Sequence, residues 1–209
     1  MLDEQWGFRP ARTIFVRPGF AHQALPAQAI LLLFPNPFHT MTILAETPRL
    51  LLRPMQADDF DFTFRMQSDP ISMRFIRPPA TDPAEVHERM AMWAKYSAEN
   101  PGLGAFAAIS KESGQPVGNC IVRHLDWQPG NDLEIGYGLL PEHWGRGLAT
   151  EIAQAISDYA LTRFEVPRVL AVTDPDNTAS QRVLEKCGFR HIGRRFIYGS
   201  DNLEFEKVR

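Results

Sequence analysis

The sequence predicts an α/β domain in which a mixed, mostly antiparallel sheet is flanked by helices, and three stretches carry this prediction. Residues 132–140 alternate with the period of a half-buried strand, their apolar positions being Leu133, Ile135, Tyr137 and Leu139. After a glycine turn at 145–147, the apolar residues are spaced like one face of a helix, at Leu148, Ile152, Ile156 and Tyr159. Residues 169–172 form the continuous apolar run of a buried parallel strand. The order is therefore strand, glycine turn, crossover helix, parallel strand.

The elements before this unit are bounded by proline and capping residues. Residues 49–53 read as a first strand, and Asp58 or Asp59 is placed to cap a short helix that Pro70 stops. A second helix is signalled by Asp82 followed by a proline, with a glutamate three residues after the aspartate. Residues 105–111 and 117–125 then predict a β-hairpin. Together with residues 132–140 they form an antiparallel meander.

The elements after it are a helix and a terminal hairpin. Residues 176–180 predict a helix start, and Gly188 supplies the left-handed stop. Residues 190–197 and 203–208 are joined by a polar turn that contains Gly199 and predict two paired strands. We find no internal repeat and no second domain in the sequence.

Composition excludes several classes of function. The chain has 209 residues, 44% hydrophobic and 22% charged, with a net charge of −3 and a pI near 6.1, which suits one globular domain and provides no basic surface for nucleic acid. The apolar run 29–34 is too short to span a bilayer, so no membrane partner is expected. Cys120 and Cys187 show neither metal-ligand spacing nor a disulfide framework. We therefore expect a reducing, cytoplasmic setting and no metal.

The glycine turn before the crossover helix predicts an anion site, because the first helical N–H groups have no partner within the helix. A P-loop is excluded because Leu148 and Ala149 stand where that motif has lysine followed by serine or threonine. A dinucleotide-binding turn fits Gly145 and Gly147 but has Thr150 where its third glycine or alanine belongs. That weaker alternative stays open on spacing alone.

Two longer stretches resemble one family. EIGYGLLPEH followed by WGRGLATE (134–151), and the pattern N-x-x-S-x-x-V-L-E-K-x-G-F (177–189), are similar to the GNAT N-acetyltransferases, in particular the RimJ/RimL-type branch of ribosomal-protein alanine acetyltransferases. The resemblance covers residues 47–209 and leaves 1–46 as an N-terminal extension. It implies the GNAT fold, with two splayed parallel strands at its centre. It also implies transfer of an acetyl group from acetyl-CoA, by direct attack and without metal, to a primary amine of a small molecule or a protein N-terminus.

The resemblance also implies where acetyl-CoA is held. The pyrophosphate would lie on the backbone of the turn, with the Thr150 hydroxyl and the charge of Arg146 assisting, over the residues Gly145, Arg146, Gly147, Leu148 and Ala149. The pantetheine arm would pair with free backbone groups near Leu139 and Leu140, opened by a bulge at Gly138, and with Asn177. Trp144 departs from the family, where glutamine or arginine is usual at this position. The oligomeric state is not specified.

Candidate catalytic residues are Glu134 and Ser180. Glu134 lies on the polar side of its strand beside Gly136 and Gly138, which leave room for a substrate, and it would act as a base through a water molecule. Its alternative role is to pair with an arginine. Many relatives place a tyrosine as proton donor where this chain has Leu184, so Ser180 is the candidate donor and Tyr198 a more remote one. A non-catalytic acyl-CoA-binding module and transfer of another acyl group remain alternatives.

Overall fold

The computed structural model describes residues 43–125 and 132–209. The expectations for residues 1–42, which make up most of the predicted N-terminal extension, lie outside the described residues. The turn that Pro129, Gly130 and Asn131 predict between the second and third strands of the meander lies outside them as well. Within them, no helix is long and apolar enough to cross a membrane.

One eight-stranded sheet runs through the described residues. Its strands are β1 (Ala45–Glu46), β2 (Leu50–Pro54), β3 (Gly104–Ser110), β4 (Pro116–His124), β5 (Leu133–Leu139), β6 (Arg168–Thr173), β7 (Arg190–Ile197) and β8 (Ser200–Val208). Their order across the sheet is β1-β2-β3-β4-β5-β6-β8-β7. Every neighbouring pair is antiparallel except β5 and β6, which are parallel. The predicted mixed, mostly antiparallel sheet is confirmed.

Helices cover both faces of the sheet. They are α1 (Phe60–Ser68), α2 (Pro70–Met73), α3 (Pro83–Glu99), α4 (Leu148–Arg163) and α5 (Thr178–Lys186), with short 3-10 turns at Ala57–Asp59 and Pro141–His143. Asp82 caps α3 as predicted, accepting a hydrogen bond from the backbone N–H of Ala84 at 2.8 Å, with Pro83 at the first helical position.

The prediction for the first helix was wrong in one detail. Asp59 occupies the N-cap position of α1, but its carboxylate does not cap the helix. Instead it accepts two hydrogen bonds of 2.7 Å from Arg53 at the end of β2. α1 ends at Ser68, before Pro70 as predicted, and Asp69 then caps a further turn, α2, in which Pro70 is the first residue. A fixed φ near −65° suits the first position of a helix as well as it suits a break.

The core lies between the sheet and α4. Leu133 and Ile135 on β5 and Ile152 and Ile156 on α4 are almost fully buried in one cluster. Burying a side chain of this size contributes about 1.5–3 kcal/mol, so these positions hold the crossover helix against the strand that carries the site.

The two central strands separate soon after they meet. The β5–β6 register consists of Leu133 opposite Val169 and Glu134 opposite Leu170, although β5 continues to Leu139 and β6 to Thr173. The splayed parallel strands expected from the family resemblance are therefore present. The cleft between them opens toward the turn that precedes α4.

Candidate active site

The turn before α4 presents uncapped backbone N–H groups. Gly147 is the N-cap residue with φ of 77°, Gly145 has φ of 73°, and no side chain caps the helix. These φ values are in the left-handed region, which glycine adopts without a steric penalty. The N–H groups of Leu148, Ala149 and Thr150 are thus left for a ligand, and the positive end of the helix dipole favours an anion there.

Arg146 adds a positive charge to this turn. Its side chain is exposed and makes no hydrogen bond or ion pair with the described residues. Its backbone carbonyl is fixed by a 2.8 Å hydrogen bond from Nη1 of Arg49, a residue that adjoins β2. The main chain of the turn is therefore held in place while the guanidinium of Arg146 stays available.

The cleft between β5 and β6 exposes one edge of β5. Leu140 donates its backbone N–H to Val117 at 3.1 Å, toward β4. By strand alternation, the peptide groups of Leu139 and Tyr137 point the other way, into the cleft. The carbonyl of Leu139 accepts a 2.8 Å hydrogen bond from the indole of Trp144. Of the two residues predicted to offer free backbone groups, Leu140 thus turns its N–H away from the cleft, and Leu139 keeps only its N–H free.

The bulge expected at Gly138 is absent, because the β4–β5 register runs without a shift from Gly118 to His124. The glycine is explained by helix packing. A Cβ at Gly138 would lie 2.5 Å from Cε of Met66 on α1. The space that Gly138 was expected to leave for a substrate is therefore occupied by α1.

Glu134 is covered rather than open, with 4% of its surface exposed. Its Oε2 accepts hydrogen bonds from Nε of Arg123 at 2.8 Å and from the hydroxyl of Tyr198 at 2.7 Å. Arg123 is its direct cross-strand neighbour on β4, and its guanidinium lies 5.0 Å from the centre of the Tyr198 ring. Oε1 accepts no hydrogen bond from the described residues. The predicted alternative, a pairing with arginine, is thus present, and one carboxylate oxygen is still available.

Tyr198 reaches Glu134 from the terminal hairpin. It forms with Gly199 a two-residue turn between Ile197 and Ser200, and both turn residues have positive φ, 55° and 80°. Positive φ at both positions is required by a type I′ turn, in which glycine, asparagine and aspartate are the usual residues. A tyrosine held there is uncommon and places a hydroxyl directly on the site.

Ser180 lies in the first turn of α5 and is held from two sides. Its N–H donates to Oδ1 of Asn177, the N-cap residue, at 3.1 Å. The hydroxyl of Tyr137 lies 3.1 Å from Ser180 Oγ and 3.2 Å from its carbonyl oxygen. Burial raises the pKa of Tyr137, although the contact with Ser180 opposes this shift. Leu184, which stands where many relatives have a tyrosine, is buried in the core and offers no hydroxyl to the site.

The site combines three features. An anion-binding turn lies at one end of a cleft, an unpaired strand edge lines it, and a buried carboxylate lies where the two strands separate. An extended ligand with a phosphate group fits the turn and the strand edge. This observation, rather than any single contact, makes the residues compatible with the expected acetyl-CoA. Among the described residues, no three His, Cys, Asp or Glu side chains are grouped as metal ligands.

Three residues of the site escaped prediction. Arg123 lies in β4, which was predicted to pair with the strand of Glu134. The register that places the two residues opposite each other cannot be read from the sequence, so Arg123 was missed. Tyr137 was placed among the packed apolar positions of β5. Its hydroxyl was the available signal, because a buried tyrosine usually finds a hydrogen-bond partner. Arg49 is distant in sequence and carries no local signal.

Comparison with known proteins agrees with this geometry. Residues 49–190 match the family model described as an acetyltransferase (GNAT) domain. An uncharacterized N-acetyltransferase, p20, of Bacillus licheniformis is 33% identical over 148 residues, which are 70% of this chain and 82% of that protein.

Two solved structures share the fold at low identity. One is the RimL ribosomal L7/L12 α-N-protein acetyltransferase in complex with CoA (TM-score 0.68, 17% identity, 79% of this chain and 97% of that one). The other is spermidine N-acetyltransferase from Vibrio cholerae with CoA and spermine (TM-score 0.65, 19% identity, 78% and 96%). With the family model and the Bacillus licheniformis relative both matching over most of the domain, the chain belongs to the GNAT family of acetyltransferases, whose acyl donor is acetyl-CoA.

Proposed function

We propose that this acetyltransferase acts in the cytoplasm as a RimJ/RimL-like enzyme and acetylates a primary amine of low pKa, in particular the α-amine of a peptide or protein. The observation that carries the proposal is the state of Glu134. It is a buried carboxylate with one oxygen fixed by Arg123 and Tyr198 and the other without a partner among the described residues. Both cysteines are free and buried, which fits a reducing compartment.

Glu134 is suited to receive a proton through water. The fixed Oε2 prevents the side chain from rotating, so Oε1 keeps one orientation. A positioned acceptor of this kind contributes about 10²–10⁴-fold in rate when proton removal is needed. Glu134 lies on the face of β5 opposite to Tyr137 and Ser180, so base and hydroxyl approach the cleft from different sides.

Such a base favours an amine that is already partly neutral. The α-amine of a peptide has a pKa of about 7.7–8.0, whereas a lysine side chain has about 10.4. At neutral pH the lysine amine is neutral roughly 300 times less often than the α-amine. A carboxylate that acts through water assists the first acceptor adequately and the second poorly.

The surrounding charge disfavours a polyamine. The pKa of Arg77 is lowered, first by burial of its guanidinium and then by the charges of Arg89 and Arg123. Three arginines therefore lie within electrostatic range of one another on the side of the sheet that carries Glu134. Two of them are paired with carboxylates, Arg123 with Glu134 and Arg89 with Glu85. The charge of Arg77 would therefore be the main source of repulsion for a polycationic acceptor, and a neutral or acidic peptide segment would not meet it.

The test is thiol release from acetyl-CoA with three acceptors at neutral pH. One is a peptide with a free α-amine and no lysine, the second is the same peptide with a blocked N-terminus and one internal lysine, and the third is spermine. We expect turnover with the first to exceed that with the other two at least tenfold in kcat/KM. Acetylation of the α-amine is verified by mass spectrometry.

Two outcomes would contradict the proposal. A preference for spermine would assign a polyamine acceptor despite the arginines. CoA binding without turnover on any amine would favour a non-catalytic acyl-CoA-binding module. Replacing acetyl-CoA with a longer acyl-CoA in the same assay tests the identity of the acyl group.

A further inference from the structure

We propose that Tyr137 is a positioning residue that holds the Ser180 hydroxyl so that its proton points to the sulfur of the acyl donor. This inference rests on the proposed function, since it gives Ser180 the role of stabilising the departing thiolate. It assigns Tyr137 a role that the usual family tyrosine, replaced here by Leu184, would otherwise fill by direct contact.

Nearly every polar group of Ser180 is already engaged. Its N–H donates to Asn177 Oδ1, and its carbonyl and Oγ both lie within reach of the Tyr137 hydroxyl, at 3.2 and 3.1 Å. The phenol has one proton, which lies between the two serine oxygens when Tyr137 is the donor. The proton on Ser180 Oγ is then the remaining free donor of this residue, and a sulfur in the cleft is the acceptor it lacks.

Tyr137 is itself well suited to stay a donor. It is half-buried on β5, a strand whose other side is fixed in register by β4, where Tyr137 lies opposite Cys120. Burial raises the pKa of its hydroxyl, so the phenol keeps its proton throughout the physiological range. Its peptide group faces the cleft while its side chain contacts α5. One residue thus connects the strand edge to the first turn of α5.

The chemical step balances without a further reagent. When the C–S bond of the acetyl donor breaks, its electron pair goes to sulfur, and the acyl carbon stays bonded to the acceptor nitrogen. The nitrogen loses its proton to water held by Glu134. Ser180 Oγ–H donates a hydrogen bond to the negative sulfur, and water supplies the proton that finally neutralises the thiolate. Tyr137 takes no part in bond exchange and keeps its proton.

The first experiment measures equilibrium in the CoA complex. The pKa of the bound CoA thiol is followed by the ultraviolet absorbance of its thiolate in the wild type, Tyr137→Phe and Ser180→Ala. A fixed donor stabilises the thiolate and lowers the thiol pKa. We expect both variants to raise that pKa, by about one unit for Tyr137→Phe. An unchanged thiol pKa in Tyr137→Phe would overturn the proposal.

A double-mutant cycle tests whether Tyr137 acts through Ser180. Tyr137→Phe should lower kcat about tenfold with the KM for acetyl-CoA within about twofold, the size of one hydrogen bond to a charged group. In the Ser180→Ala background the same substitution should have no further effect on kcat. An equal loss in both backgrounds would show that Tyr137 acts independently and would also overturn the proposal.

Tyr159→Phe is the matched control. Tyr159 is another half-buried tyrosine, whose hydroxyl donates to the carbonyl of Gly102 at 3.0 Å, away from Ser180. Its loss should leave both the thiol pKa and kcat unchanged. If no amine supports turnover, the proposed function fails. The thiol titration still decides whether Ser180, positioned by Tyr137, donates a hydrogen bond to the sulfur.

Discussion

Arg49 binds Glu151 through both its backbone and its side chain. The N–H of Arg49 donates to Oε1 of Glu151 at 2.8 Å, and its Nε and Nη2 each lie 2.7 Å from Oε2. Glu151 is in the first turn of α4, and the same guanidinium holds the carbonyl of Arg146. The residue that adjoins β2 thereby fixes the turn proposed to bind pyrophosphate, although about a hundred residues separate the two in sequence.

Loss of this pair should weaken CoA binding without abolishing the fold. Arg49→Ala is expected to raise the Kd for CoA about fivefold, roughly 1 kcal/mol, because half of the Arg49 side chain is exposed and solvent screens the pair. Arg49→Lys should recover only part of this, since lysine lacks the planar fork. Calorimetry measures the Kd. The control is Lys95→Ala, which removes an exposed ion pair on α3 and should leave the Kd for CoA unchanged. Equal Kd values for the wild type and all three variants would show that Arg49 does not support the CoA-binding turn.

Gly147 offers a test of the turn itself. Its φ of 77° strains any residue with a Cβ, although the nearest atom, Nη2 of Arg49, would lie 3.6 Å away. Gly147→Ala should therefore distort the turn and weaken CoA binding at least tenfold, about 1.4 kcal/mol. Gly114→Ala has comparable strain, at φ of 69° in the β3–β4 turn, and should lower stability while leaving CoA affinity intact. Similar CoA affinities in both variants would move the pyrophosphate site elsewhere.

Glu134→Gln should lower kcat about 10²-fold with CoA affinity unchanged, if Glu134 receives the proton through water. The deficit should shrink as pH rises to about 9, because the α-amine, with a pKa of about 7.7–8.0, then loses its proton unaided. The measurement is a pH–rate profile of both proteins with the peptide acceptor.

The matched control is Glu204→Gln. Glu204 is equally buried and accepts a hydrogen bond from Nε of Arg195 at 3.2 Å, on the terminal hairpin. Its loss should reduce stability and leave the pH–rate profile unchanged. A constant ratio of wild-type to Glu134→Gln rates across pH would make Glu134 a structural partner of Arg123 and nothing more.

The fold was predictable because its signals are local. The alternation of β5, the glycine turn and the stripe on α4 each depend on a few consecutive residues, and the structure places them as expected. The side-chain cap of α1 was predicted wrongly because the carboxylate of Asp59 binds Arg53, a tertiary partner, and the N–H of Gln56 in the preceding turn. Tertiary contacts of this kind are not encoded in spacing along the chain.

The site was predictable in its backbone part and less so in its side chains. The anion-binding turn at Gly147 was predictable because the first N–H groups of any helix lack partners within the helix. The environment of Glu134 depends on the β4–β5 register and on a hairpin turn more than sixty residues later, where Tyr198 adopts positive φ. Gly138 was predicted to form a bulge, whereas a glycine is needed there because Met66 on α1 leaves no room for a Cβ. Each of these requires the folded chain.

Acid stability should depend on Glu206. This residue of β8 is 5% exposed and bridges Arg168 on β6, at 3.0 Å, and Arg190 on β7, at 2.8 Å. The hydrogen bond from Arg168, and then that from Arg190, lower its pKa, while burial opposes the shift. A carboxyl whose folded pKa is depressed stabilises the protein above its unfolded pKa of about 4.3, and this contribution is lost as pH falls through the folded value.

We therefore expect Glu206→Gln to lower Tm at pH 7 by roughly 2–4 °C, the shift that corresponds to about 1 kcal/mol in a domain of this size. The difference from the wild type should begin to narrow below about pH 4 and vanish once the pH is below the folded pKa, because the wild-type carboxyl is then protonated as well. Thermal unfolding from pH 7 to pH 3 measures this. Glu46→Gln provides the control, since Glu46 is exposed where it pairs with Lys111 at 2.6 Å, and should leave Tm unchanged. A Tm difference for Glu206→Gln that stays constant over the whole range would mean that Glu206 contributes by packing and not through its charge.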